Sequence, residues 1–185
     1  MGLIFSKIKI KTKLILIIIG FLWTFNGLFL FTFYSAKSLL FSYSISGALF
    51  SLQGILLLYH SQQENNISIK FEKTIIDFMG IIFIFFAVFI YPITGNLSGH
   101  FFPSAPVFPE PCPLTIVTFG VFFLARKKVP ISLMAIPLIW SIVGIIGFIE
   151  YGVVADLAEA IIGAFSIVLI LIRNRRIGSK SRESV

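Results

Sequence analysis

Residues 14–34 read LILIIIGFLWTFNGLFLFTFY, an apolar run of 21 residues without a single charge. A hydrocarbon core about 30 Å thick is crossed by about 20 helical residues, so this stretch reads as a membrane-spanning helix. Lys7, Lys9, Lys11 and Lys13 precede it. A secretory signal also begins with positive charge, but its apolar core is only about 7–15 residues and ends in an A-x-A-like site. Neither feature is present, and the run is expected to be retained as a first span. Five further apolar runs follow at 38–59, 74–91, 114–125, 129–149 and 157–172, and a basic tail occupies 173–185. Lipid offers the backbone no hydrogen-bond partners, which leaves helices as the spanning element; the strict alternation of barrel strands is absent. The expected fold is a single all-α integral membrane domain, a six-transmembrane-helix bundle.

The composition points the same way. Of 185 residues, 57% are hydrophobic and only 12% charged, against about 25% charged in a typical soluble domain. Too little polar surface exists to coat a water-facing globule. The 15 basic and 8 acidic residues give a net charge of +7. In a soluble protein such an excess would suggest nucleic acid; here the bases sit between apolar runs, and the expected partner is the lipid bilayer.

Six spans make a testable pattern of those bases. With the N-terminus inside, the cytoplasmic segments hold the four leading lysines, Lys70, Lys73, Arg126, Lys127, Lys128, Arg173, Arg175, Arg176, Lys180 and Arg182, and the outer segments hold Lys37 alone. That asymmetry is the one the positive-inside rule requires. Both termini are therefore expected to be cytoplasmic, in a prokaryotic cytoplasmic membrane, with the tail solvated or touching anionic lipid.

The stretch 92–113 stands apart. It contains every proline of the chain except Pro130 and Pro137, and no basic residue. Proline fixes φ and removes a donor, so this outer stretch between spans three and four is expected to be non-helical. Phe101, Phe102, Val107 and Phe108 make it too apolar for a free loop. Span four, twelve residues at 1.5 Å each, reaches only about 18 Å. The segment is therefore expected to fold back over the helix ends with its phenylalanines turned inward.

Here the chain resembles a known group. The run Gly99-His100…Pro103…Pro106-Val107-Phe108…Pro111-Cys112-Pro113-Leu114-Thr115, with Gly47–Gln53 and Ile136–Trp140, is similar to an uncharacterised prokaryotic family of multi-pass membrane proteins known only as a domain of unknown function. The resemblance covers roughly residues 20 to 172. The chain departs from it in having Pro109-Glu110 where a glycine turn is expected, and in starting later. The resemblance implies a membrane protein and supplies no catalytic residues.

Ionisable groups within a membrane are costly and are functional hypotheses by default. Asp77 lies one turn into span three with Lys73 at i−4, a spacing suited to an ion pair. Asp156 and Glu159 open span six and have the spacing of a capping box; at i, i+3 they also share a face. With His100, Cys112 and Glu150 they form the one outer-face polar cluster the sequence supports, and a carboxylate beside His100 would raise its pKa. A thiol, an imidazole and carboxylates could ligate a divalent metal, but no ligand pair has a recognised spacing, and Cys112 lies between prolines. A Cys112–His100 nucleophile pair lacks an evident third member. G-x-x-x-x-G-K-[ST], H-E-x-x-H and C-x-x-C are all missing, and the single cysteine excludes an intrachain disulfide. No catalytic, cofactor or metal residues are assigned.

Inside the spans, Asn26 and Ser46 share a depth and are expected to bond each other, with Gln53 deeper. Ser44, Ala48 and Ser51, and Ser141, Gly144 and Gly147, form small-residue stripes suited to close helix packing. Pro137 deprives the Leu133 carbonyl of its helical donor. The first functional expectation is binding or transport of a small solute without catalysis. The alternative is a non-catalytic membrane subunit or partner-binding scaffold, and the third a membrane-embedded enzyme.

Overall fold

The computed structural model describes residues 11–29, 41–63, 67–97, 99, 107–152 and 154–183. These form six helices: α1 (Lys11–Phe29), α2 (Phe41–Gln62), α3 (Ile75–Leu97), α4 (Pro111–Phe123), α5 (Ile131–Tyr151) and α6 (Val154–Glu183). Among the described residues there is no strand, only an isolated antiparallel bridge between Ile69 and Ala125. The helices α1, α3, α5 and α6 are long and apolar enough to cross a membrane. The serines, Gln53 and His60 dilute α2, and α4 has 13 residues, about 20 Å.

The short helix is the centre of the molecule. Every residue of α4 from Pro113 to Phe123 is buried, as expected of a helix that is apolar all round and enclosed by others. The other helices bury large apolar side chains inward and also carry many outward, such as Phe21, Phe25, Ile82, Ile142 and Ile161. A water-facing surface would not be apolar to that extent.

Packing is closest where side chains are missing. A Cβ on Gly27 would meet Ser51 and lie 2.7 Å from the Gly47 carbonyl; one on Gly54 would meet Thr24 and lie 2.6 Å from the Gly20 carbonyl. The tight seam of α2 therefore runs along Gly47, Ser51 and Gly54. Of the expected stripe, Ser51 lies in it and Ala48 is exposed. Gly80 and Gly120 bring α3 and α4 equally close, each Cβ position 2.6–2.7 Å from the other's carbonyl.

The expected non-helical segment is shorter than its proline content implies. α3 continues through Pro92 to Leu97, and α4 already begins at Pro111. A proline in mid-helix loses a bond and crowds the carbonyl four residues back. A π-helical turn over Phe86–Ile90 precedes Pro92, with the Tyr91 N–H donating to the Phe86 carbonyl five residues back, and this local widening accommodates the ring. Pro111 and Pro113 sit in the first turn of α4, where N–H groups have no intrahelical partner to lose. Of the loop phenylalanines, Phe108 is half-buried and packs on the core as expected; Phe101 and Phe102 lie outside the described residues, as do Lys37 and the ends of the runs flanking it.

Two side-chain amides of the helices bond to backbone carbonyls of other segments, and for Asn26 the partner is not the expected one. Asn26 donates to the Leu22 carbonyl and to the Pro109 carbonyl, both at 2.8 Å, and so ties α1 to the 107–110 turn; no bond to Ser46 forms. Gln53 donates to the Leu133 carbonyl at 3.0 Å. That is the carbonyl Pro137 leaves open, so α2 supplies the donor α5 lacks, a bond of about 0.6–1.7 kcal/mol between apolar helices.

The opposite end is held by charge. Lys70 N–H donates to the Leu124 carbonyl at 2.9 Å, Arg126 N–H to the Ser68 carbonyl at 2.7 Å, and Ile69 N–H to Thr12 Oγ1 at 3.0 Å. Asp77 does not use Lys73. It closes a capping box with Thr74 and pairs with Arg126. The Lys70 ammonium and the Arg126 guanidinium hold the Glu72 carboxyl below its ordinary value. The tail is not simply solvated: α6 continues to Glu183, and Arg173 donates to the Phe122 carbonyl at 2.9 Å at the end of α4.

Candidate functional site

Three helices deliver acidic or nucleophilic groups to one point. α6 begins at Val154, so Asp156 lies inside the first turn and not at the cap position. Its carboxylate accepts a hydrogen bond from the Tyr91 hydroxyl on α3. The capping-box reading of Asp156 and Glu159 is thus replaced by a tertiary contact. One turn further, Glu159 is fully buried. Cys112, the second residue of α4, completes the group: one ligand atom each from Cys112, Asp156 and Glu159 lies within 4.8 Å of the others.

Space for the carboxyl groups comes from α5. A Cβ on Gly144 would stand 3.0 Å from Glu159 Oε2 and 3.0 Å from the Asp156 carbonyl. One on Gly147 would stand 2.6 Å from Asp156 Oδ2. Both separations are below ordinary van der Waals contact. The small-residue stripe on α5 thus does more than let two helices approach. Ser141 meets Gly163 in close packing, while Gly144 and Gly147 form a recess that two acidic side chains enter.

Glu159 carries the anomaly of the site. Buried polar groups are normally hydrogen-bonded, yet neither Glu159 carboxyl oxygen has a hydrogen-bond partner among the described residues. The Cys112 thiol and the Thr115 hydroxyl stand beside it, but the Thr115 proton goes to the Pro111 carbonyl at 2.9 Å. The Trp140 indole approaches the Cys112 sulfur, and its N–H is likewise buried without a full hydrogen bond. At the edge of the recess, partial burial raises the Glu110 carboxyl above its ordinary value, and the Asp156 carboxylate adds to the rise.

The match to known proteins is to a family alone: the family of unknown function DUF6064 matches residues 1–181. The chain belongs to this family. Neither a curated protein nor a solved structure matches it.

Of the five residues assigned to an outer polar cluster, the structure unites Cys112, Asp156 and Glu159. Glu150 is exposed near the end of α5 and is not in the group. His100 lies outside the described residues. Asn26 and Gln53 each donate to a backbone carbonyl of another segment. Sequence reasoning missed Tyr91, Trp140, Gly144 and Gly147 as members. In the sequence Tyr91 is only the last residue of the third apolar run and the glycines read as packing, and no local spacing links either to α6.

Proposed function

We propose that this DUF6064 protein is a six-span membrane protein with both termini cytoplasmic that binds a small cationic solute in the recess between α4, α5 and α6, without catalysis. The observation that carries the reading is Glu159: a fully buried carboxyl with two unpartnered oxygens. Burying such a group without a counter-charge or hydrogen bond is costly. Two carboxyls and a thiol converge there, and among the described residues no cationic side chain acts on Glu159, so the complementary ligand is positive.

The topology has its own support. The segments expected inside meet one another: Thr12 bonds Ile69, Arg126 bonds the 68–70 backbone, Asp77 pairs with Arg126, and Asn174 bonds Val129. On the side expected outside, the 107–110 turn meets Asn26 in the outer half of the first helix, and Tyr91 meets Asp156. Six crossings in alternation bring these partners to common ends. In a Cys112→Ala background, Asn96→Cys is expected to react with an impermeant thiol reagent on intact cells, and Lys127→Cys only after the membrane is opened. Labelling of Lys127→Cys on intact cells overturns the orientation.

Ligand binding is checked by thermal unfolding of the protein in nanodiscs against sodium, potassium, calcium, zinc and guanidinium ions. A cation present at about 100 times its Kd stabilises the native state by about 2.7 kcal/mol. The expected result is a rise in Tm with at least one of these cations in the wild type and none in Glu159→Gln. A Tm indifferent to all of them sinks the reading.

A further inference from the structure

We infer that the recess is a zinc-type transition-metal site, ligated by Cys112 Sγ and the carboxylates of Asp156 and Glu159. The inference rests on the reading of the recess as a ligand site and narrows the ligand to a class. Three protein donors with a fourth position open is a recurrent arrangement for zinc. The donor set discriminates among cations: a thiolate favours zinc and other borderline or soft metals over magnesium and calcium, which take oxygen ligands.

The geometry allows it. Tetrahedral zinc, with bonds of about 2.3 Å to sulfur and about 2.0–2.2 Å to oxygen, sets its donors about 3.3–3.7 Å apart. The three donors stand within 4.8 Å of one another, about 1 Å beyond the tetrahedral separation. Two of the three donors have a supporting neighbour of the kind that orients metal ligands. The Tyr91 hydroxyl donates to Asp156, and the Trp140 indole faces the Cys112 sulfur. Gly144 and Gly147 leave clear the volume beside the carboxyl oxygens that a Cβ would fill. An acidic pair and one cysteine would not suffice alone; the unpartnered oxygens of fully buried Glu159 are the independent sign that a ligand belongs there. Binding requires the Cys112 proton to leave, so occupancy releases protons and weakens in acid.

The test uses the full chain in nanodiscs, stripped with chelator and titrated with cobalt(II), whose bond to thiolate gives a near-ultraviolet charge-transfer band. One cobalt per chain is expected, with that band present and displaced by zinc. Cys112→Ser should abolish the band, Glu159→Gln should weaken binding about 10-fold or more, and Tyr91→Phe by about 10–100-fold, as for a residue that orients a ligand. Monodisperse wild type that binds no stoichiometric cobalt, or binds it without a thiolate band, overturns the inference whatever the variants do. A sodium, potassium, calcium or guanidinium shift in Tm that depends on Glu159, without the cobalt band, defeats the metal assignment and leaves the cation-site reading standing. Neither response defeats both.

Discussion

Arg126→Met is expected to destabilise the protein by about 3–5 kcal/mol, the cost of stranding a buried charge when its partner is removed. The charge is that of Asp77, whose side chain is 0% exposed. It accepts the Glu72 N–H at 2.8 Å and the Thr74 N–H at 3.1 Å, and its other oxygen faces the Arg126 guanidinium. Arg126 in turn donates through Nε to the Lys70 carbonyl at 2.9 Å. One side chain thus links the α2–α3 connection, the first turn of α3 and the end of α4. Methionine keeps the length and removes every donor. Adding Asp77→Asn to that variant should recover much of the loss, because a neutral amide oxygen still accepts the two backbone N–H groups. Equilibrium unfolding in detergent followed by tryptophan fluorescence measures both. A loss below about 1 kcal/mol for Arg126→Met would mean that the pair behaves as a solvated surface ion pair.

Trp23→Ala carries the second large effect, about 3–5 kcal/mol for a cavity left by a fully buried aromatic ring. Trp23 is 0% exposed. Its indole N–H donates to Thr118 Oγ1 at 3.0 Å, and its ring meets Phe50 edge-on at 4.9 Å, which in turn meets Trp140 at 4.4 Å. The side chain joins α1 to α2 and to central α4, and through Phe50 to α5 beside the recess. Trp23→Phe keeps most of the volume and loses the hydrogen bond, and should cost about 1–2 kcal/mol. Phe21→Ala is the control, since Phe21 is 61% exposed on the outward face of the same helix, and its loss should stay under about 1 kcal/mol. Equal effects at positions 21 and 23, by the same unfolding measurement, would contradict the orientation of α1.

The Asp77 contacts illustrate how far local reading carries. The local reading pairs Asp77 with Lys73 and passes over the threonine three residues before it, whose spacing is that of the capping box the structure shows. The salt-bridge partner of Asp77, Arg126, is 49 positions away, and nothing near Asp77 names it; Lys73 was the only basic residue in local register. The prolines show the converse failure. Their number argued for an irregular stretch, but what matters is position: Pro111 and Pro113 stand where no helical bond is lost, and a π-helical turn makes room before Pro92. A rule about composition cannot see either adjustment.

By itself, the sequence determined that the chain is helical and apolar enough for a membrane, roughly where its six helices lie, and that Asp156 and Glu159 share a face of α6. These follow from apolar length and helical period, which are properties of contiguous residues. Only the tertiary structure decided that Cys112 and Tyr91 meet that face, that Gly144 and Gly147 open the space beside it, and that Gln53 satisfies the carbonyl freed by Pro137. Each of those contacts depends on which helices become neighbours and at what rotation. In a chain apolar on nearly every face, that choice is made by close packing of small residues and a few buried polar bonds, summed over the whole bundle and absent from any local window.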